Sequence, residues 1–298
     1  MTAMLETVGL GKRYRRRLAL SDCTLSVPAG KVVGLVGPNG AGKSTMLHLA
    51  VGLLSPSAGT ISVLGDRPGS GPAVLGRVGF LAQDSPTYAR LTVAEHLRMG
   101  GWLNPGWDDT FARERVAALG LDSRQRAGTL SGGQQAQLAL TLAVAKRPEL
   151  LLLDEPVASL DPLATREFLQ GVMEVVAALG VSVVLSSHQI ADLERVCDYL
   201  VVLATGRVAL TGEVDALLAS HRRLIGPRRD PSTLPANQTV IEASHLDKQT
   251  TLLVRTDEPV VDLAWTVTPV SLDDIILAYM RQARDGDAAS NTRLAVAR

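Results

Sequence analysis

Lys31-Val32-Val33-Gly34-Leu35-Val36-Gly37-Pro38-Asn39-Gly40-Ala41-Gly42-Lys43-Ser44-Thr45 is the stretch on which the rest of the chain turns. Residues 31–36 form a short β-branched run. Met46, Leu47, Ala50 and Leu53 then give residues 44–54 a helical period. The order is strand, glycine-rich turn, helix, and Gly37 to Ser44 fits G-x-x-x-x-G-K-[ST] in the context that pattern requires. The glycines let the backbone curl until successive N–H groups point at phosphate oxygens, and the helix N-terminus adds positive potential. Lys43 is then placed to bridge β- and γ-phosphate oxygens, Ser44 to hold Mg²⁺, and Thr45 to add an α-phosphate contact.

Working outward, short apolar runs recur at 61–64, 78–81, 150–153, 181–186 and 199–204, several separated by helical patterns. Apolar strands alternating with helices predict a parallel sheet covered on both faces. From 83 to 130 the strand pattern disappears. Residues 93–100 and 111–119 carry helical periodicity broken by Asn104-Pro105-Gly106, which predicts a helical subdomain inserted over about 84–135. After Ala219 the composition changes, with Gly226-Pro227 and Pro231 around Arg228-Arg229-Asp230, then Pro235, marking a linker at 221–236. Beyond it, 239–243 and 251–255 read as strands. Ser271 opens a helix with Leu272, Ile275, Ile276 and Tyr279 on one face, and Asp274 completes a capping box. The expected organisation is therefore a first domain over 1–220, a small C-terminal α+β domain over 237–285 and a flexible polar tail over 286–298.

The 298 residues are 46% hydrophobic, enough for a full-sized core, and 30 basic side chains cancel 30 acidic ones. No long-range field draws such a chain to nucleic acid or to an anionic bilayer. The basic runs at 13–17 and 222–229 are short and lack an aromatic series, so they read as solvated surface or as contacts to nucleotide phosphates. Cys23 and Cys197 stand alone, without metal-ligand spacing, and read as unpaired thiols that fill space. No apolar run approaches the roughly 20 residues of a spanning helix. The N-terminus lacks the apolar core and small-residue cleavage site of a secretory signal.

Leu150 to Leu153 followed by Asp154-Glu155 is a buried strand ending in two carboxylates, at the end of the sheet where open α/β folds place ligands. Adjacent strand residues diverge, so one carboxylate faces the metal shell and the other a water in line with the γ-phosphate. Asp154 is assigned to metal and Glu155 to the general base. Leu130-Ser131-Gly132-Gly133-Gln134 precedes another helical pattern, 135–146, and forms a second anion-binding helix end.

With that pentapeptide just upstream of Asp154-Glu155, the chain resembles the ABC ATPase family. The resemblance implies an α/β fold of the P-loop NTPase kind: a RecA-like parallel sheet core with an antiparallel β subdomain and an inserted helical subdomain, here followed by the small α+β domain. It implies ATP and Mg²⁺ as ligands. It further implies a homodimer or heterodimer packed head to tail, in which Ser131, Gly132, Gly133 and Gln134 of one copy cover the ATP held by the glycine loop of the other. Tyr14 resembles the aromatic on which adenine stacks. Gln83, after the strand 79–82, resembles the glutamine that touches Mg²⁺ and the attacking water. Ser159-Leu160-Asp161 is similar to the loop that crosses the dimer interface. His188, following Val184-Leu185-Ser186-Ser187, is similar to the switch histidine at the γ-phosphate. One departure stands out: many relatives carry an arginine three residues after Gln134, where this chain has Gln137.

The function this resemblance implies is an ATP-hydrolysing subunit at the cytoplasmic face of the cell membrane. It would drive separately encoded transmembrane permease subunits, contact the membrane only through them, and take no nucleic acid. Val270-Ser271-Leu272-Asp273-Asp274-Ile275-Ile276 resembles the closing segment of drug and antibiotic export cassettes, which favours export. The alternatives are an importer ATPase and a soluble ABC ATPase acting on nucleic acid or ribosomes. The second usually carries long coiled coils or two cassettes in one chain, neither of which appears here.

Overall fold

A computed structural model describes residues 3–15, 17–83, 87–230 and 234–296, the last stretch by backbone alone from 287 onward. The first elements are β1 (Ala3–Tyr14), β2 (Arg17–Pro28), β3 (Val32–Val36), α1 (Lys43–Ala50), β4 (Ala58–Val63), α2 (Pro72–Arg77) and β5 (Val78–Leu81). The helical segment follows as α3 (Val93–Leu103), α4 (Asp109–Ala118) and α5 (Gly132–Val144). The chain then returns to the core through β6 (Leu150–Asp154), α6 (Pro162–Leu179), β7 (Ser182–Ser187), α7 (Ile190–Leu193), β8 (Tyr199–Ala204), β9 (Arg207–Glu213) and α8 (Val214–Ser220). It closes with β10 (His221–Pro227), β11 (Thr239–Leu246), β12 (Gln249–Arg255), β13 (Thr266–Thr268) and α9 (Leu272–Val296).

The central sheet has the order β5-β6-β7-β3-β8-β9. β5, β6, β7, β3 and β8 run parallel, and β9 closes one edge antiparallel to β8. Every residue of β3, β6 and β7 is buried, as near-continuous apolar runs require when both sheet faces are covered. One face packs on α5, α6 and α9, the other on α1 and a second sheet. That second sheet, β2-β1-β4, is antiparallel throughout. The inserted helices enclose a small core of their own from Val93, Leu97, Ala112, Val116, Leu121 and Leu138. The first three residues expected in that insertion, 84–86, lie outside the described residues.

The expected linker is corrected in its first half. His221–Pro227 is a strand, paired to β12 along all seven of its residues and to β13 on its other side, in the order β11-β12-β10-β13. Arg222 and Arg223 give this segment the look of solvent-exposed chain. Arg223 instead ion-pairs with Asp274 at 2.6 Å, and Arg222 donates to the carbonyls of Leu218 and His221. Gly226 is needed for close approach, since a Cβ there would lie 2.7 Å from the Trp265 ring. Residues 231–233 of the same stretch lie outside the described residues. The tail also differs from expectation, because the α9 backbone continues helical to Val296. Polar composition alone does not break a helix, and the Ala, Leu and Arg residues of this tail favour one.

The C-terminal sheet is joined to the rest rather than tethered to it. Leu272, Ile275 and Ile276 of α9 share one buried cluster with Leu193, Leu200, Val202 and Leu217. His221 ties the junction: its Nδ1 donates to Leu217 O at 2.8 Å, and its Nε2 accepts from the Tyr279 hydroxyl at 3.1 Å. Among the described residues no helix is long and apolar enough to cross a membrane.

Candidate functional site

Four neighbouring strands deliver the site. β5, β6, β7 and β3 lie side by side and parallel, so the loops at their carboxyl ends open at one edge of the sheet. β3 leads into the glycine loop, β6 ends in Asp154-Glu155, β7 leads to His188 and β5 to Gln83. The registers Val36↔Ser187, Asp154↔Ser186 and Leu81↔Leu153 bring all four to the same level. There a cavity of about 580 Å³ is lined by Tyr14, Lys43, Ser44, Gln83, Glu155 and His188, with Asn39, Gly40, Gly42 and Thr45 completing its floor.

The glycine loop is built by local sterics. Ala41 N–H donates to Pro38 O at 3.0 Å, closing the turn. Gly42 sits at φ 108° as the cap of α1, and a Cβ there would meet Leu20 Cδ2 at 2.5 Å and Ala19 O at 2.8 Å. At Gly37 a Cβ would meet Leu203 O at 2.3 Å. Neither position admits another residue without moving backbone.

Lys43 is only 4% exposed, and its ammonium donates to Gly37 O at 2.7 Å and ion-pairs with Glu155 Oε1 at 3.0 Å. The other oxygen of Glu155, Oε2, meets His188 Nδ1 at 2.9 Å. Burial drives the Glu155 carboxyl upward, but the Lys43 hydrogen bond and charge, together with His188, outweigh it. The carboxyl therefore lies below its ordinary range. Glu155 is also held at φ 45°, a left-handed conformation that costs a non-glycine residue energy and fixes the carboxylate against the lysine.

Asp154 points the other way, as the period of two requires. Its Oδ1 accepts from Ser44 Oγ at 3.1 Å and from Ser186 Oγ at 2.8 Å. Ser186 Oγ also accepts the Glu155 N–H at 2.8 Å, so one hydroxyl orients both acidic residues. No cluster of three or more His, Cys, Asp or Glu side chains able to hold a metal exists among the described residues. The Ser44 and Asp154 oxygens, beside a lysine-lined phosphate cradle, nonetheless fit Mg²⁺, which takes few protein ligands and completes its shell with phosphate and water.

The second constellation stands apart. Ser131 caps α5, accepting from Gln134 N–H at 3.2 Å, while Gln134 Oε1 accepts from Ser131 N–H at 3.0 Å. Asp161 caps α6, accepting from Leu163 and Ala164 N–H. Ser131, Gly132, Gly133, Gln134 and Asp161 line another cavity, of about 690 Å³, and none of them borders the cavity that holds Lys43. The expected site residues thus fall into two groups on one chain.

Several site residues carried no such assignment from sequence. Arg17 borders the Lys43 cavity and reaches Gly40 O at 3.5 Å; its place in the basic run 13–17 was the available signal. Ala19 and Ala158 complete the wall. Ser186 gave no signal, being one of two adjacent serines in an apolar strand. Gln137, the departure from the family pattern, receives the guanidinium of Arg115 at 3.3 Å. Cys23 and Cys197 are buried and unpaired, and burial pushes the Cys197 thiol up to about 12, as expected of thiols that fill space.

The family profile described as ABC transporter matches residues 20–158. Over 220 residues the chain is 34% identical to the Nod factor export ATP-binding protein I of Rhizobium johnstonii, an alignment that covers 72% of this chain and 70% of that protein. The thiamine import ATP-binding protein ThiQ of Salmonella typhimurium is 35% identical over 213 residues, covering 68% and 90% respectively. A solved structure described as the ATP-binding subunit of an ABC transporter superposes with a TM-score of 0.64 at 32% identity, covering 72% of this chain and 91% of that one.

Proposed function

The chain belongs to the ABC transporter family of ATP-binding proteins, and on that premise we propose that it is the ATP-hydrolysing motor subunit of a membrane transporter. It works as one of two cassettes packed head to tail beneath separately encoded spanning subunits, and meets the membrane through them. One observation carries this reading. Lys43, Glu155, His188 and Gln83 line one cavity, with Asp154 held behind it against Ser44, while the Ser131-Gly132-Gly133 helix end lines another. A phosphate-gripping helix end with no role toward its own chain's nucleotide is accounted for when it covers the nucleotide of a second copy.

The chemistry follows from the exchange of one ion pair. ATP enters with adenine on Tyr14 and its phosphates over the N–H groups of residues 39–44. Lys43 transfers from Glu155 to the β- and γ-phosphates, which are stronger anionic partners. Burial, the largest influence on the Glu155 carboxyl, then acts without the lysine's opposition, so the carboxylate becomes a stronger base as the substrate arrives. Glu155 takes a proton from the water in line with the γ-phosphate. His188, already at Glu155 Oε2, holds that carboxylate and reaches the departing phosphate. Ser44, Asp154 and Gln83 would hold Mg²⁺, which neutralises charge on the β- and γ-phosphates.

We assign the direction as export on the likeness of residues 270–276 to the closing segment of export cassettes. Relatives of similar identity are named for export and for import, so the direction rests on that segment alone. The central experiment is turnover of Glu155→Gln. Loss of a general base lowers hydrolysis by about a hundredfold or more while ATP affinity stays, and ATP then traps a dimer. Normal turnover in that variant removes Glu155 as the base. Transport of substrate by the reconstituted complex, inward or outward, decides the direction.

A further inference from the structure

In the wall of the cavity lined by Ser131–Gln134, the signature cavity, three helices meet at a polar node that the Lys43 cavity does not touch. Arg115 on α4 directs Nη2 to Gln137 Oε1 on α5 and to Gly171 O on α6, each at 3.3 Å. Gln137, 8% exposed, donates from Nε2 to Glu167 O, one turn earlier on α6, at 3.1 Å. Gly171 supplies the room. A Cβ at that position would stand 3.0 Å from Arg115 Nη2, 3.0 Å from Gln137 Oε1 and 3.1 Å from Gln137 Nε2.

Both features are unfavourable taken singly. A glycine inside a helix raises the entropy lost on folding. Arg115 has a buried Nε without a hydrogen-bond partner among the described residues, and burial pushes its guanidinium down, with Glu174 opposing only in part. Two features that are costly singly interlock at one point. What they join is definite. α5 starts at the Ser131 cap and α6 at the Asp161 cap, and both helix ends line the signature cavity, with Arg115 and Gln137 in its wall. The node lies roughly 9 Å along α5 from that cap, at 1.5 Å per residue, close enough to set the angle of the helix end.

We propose that Arg115 is a positioning residue for ATP hydrolysis. It locks α4 of the inserted subdomain onto α5 and α6, and so fixes the relative angle at which Ser131–Gly133 and Asp161 are presented to the nucleotide of a second copy. The lock rests on the head-to-tail dimer proposed above.

The test uses the full chain. In Arg115→Gln, affinity of the single chain for a fluorescent ATP analogue stays within about twofold of the parent, as for sites that share no partners. In a Glu155→Gln background, ATP-driven dimerisation followed by light scattering weakens by about tenfold, the worth of one hydrogen bond to a charged group. Arg115→Lys keeps the charge without the planar fork and falls between. Gly171→Ala crowds both partners and reproduces the Arg115→Gln behaviour, so the question stays answerable if Arg115→Gln fails to fold. Dimerisation equal to the parent's in Arg115→Gln and Gly171→Ala overturns the lock. A parallel loss of single-chain nucleotide affinity overturns it too, by showing a merely structural role. If the Glu155→Gln parent binds ATP and never dimerises, the dimer reading falls and the lock falls with it.

Discussion

The Glu155 carboxylate is shared between a buried Lys43 and a part-exposed His188, and this gives folding a pH dependence of definite sign. Its carboxyl lies below the ordinary value of 4.5, so the folded state holds the ionised form more strongly than the unfolded chain does. The stabilisation is present above that value and is lost as pH falls through the lower, folded-state value. Denaturant unfolding between neutral pH and pH about 3 should therefore show a steeper acid limb for the parent than for Glu155→Gln, which has no proton to gain at this site. Identical acid limbs would mean that the Lys43–Glu155–His188 contact contributes nothing before nucleotide binds.

Elements place these side chains only because backbones pass each other closely. Gly42 is one such point, where α1 starts against Ala19 and Leu20 of β2. Gly42→Ala adds a methyl into occupied space at φ 108° and should cost about 1–3 kcal/mol, the scale of a strained backbone position. Thermal melting should fall by several degrees, with nucleotide affinity lost alongside it. A variant that melts as the parent does would show that the loop relaxes freely. Legibility in sequence also differs by element. β3, β6, β7 and β8 are plain in the sequence because burial on both faces leaves uninterrupted apolar runs. β1 and β2 are not, because register shifts between Thr7 and Leu10, Leu10 and Lys12, and Lys12 and Arg13 break the period of two.

For the whole molecule, the C-terminal region decides whether the chain is one body or two. Val270, Leu272, Ile275, Ile276 and Tyr279 are buried in the same cluster as Leu193, Val196, Leu200 and Leu217. Ending the chain at residue 236 would expose that face, at about 1.5–3 kcal/mol for each large apolar side chain, against a total stability of about 5–15 kcal/mol. The truncated chain should aggregate or melt far below the parent, and nucleotide binding should be lost with the fold. Unchanged melting would show that α9 is dispensable, as an appended domain behind a linker would be.

By itself the sequence determined the glycine-rich turn, the paired carboxylates, the Ser131 helix end and the positions of the central strands along the chain, since each depends on residues adjacent in the chain or on an unbroken period. Only the tertiary structure decided that Lys43 is paired with Glu155, that Ser186 orients both acidic residues, that Arg115 meets Gln137 over Gly171, and that β10 and α9 complete the body. Those facts join residues 22 to 112 positions apart, and local pattern carries no information about which distant side chain will occupy a shared volume.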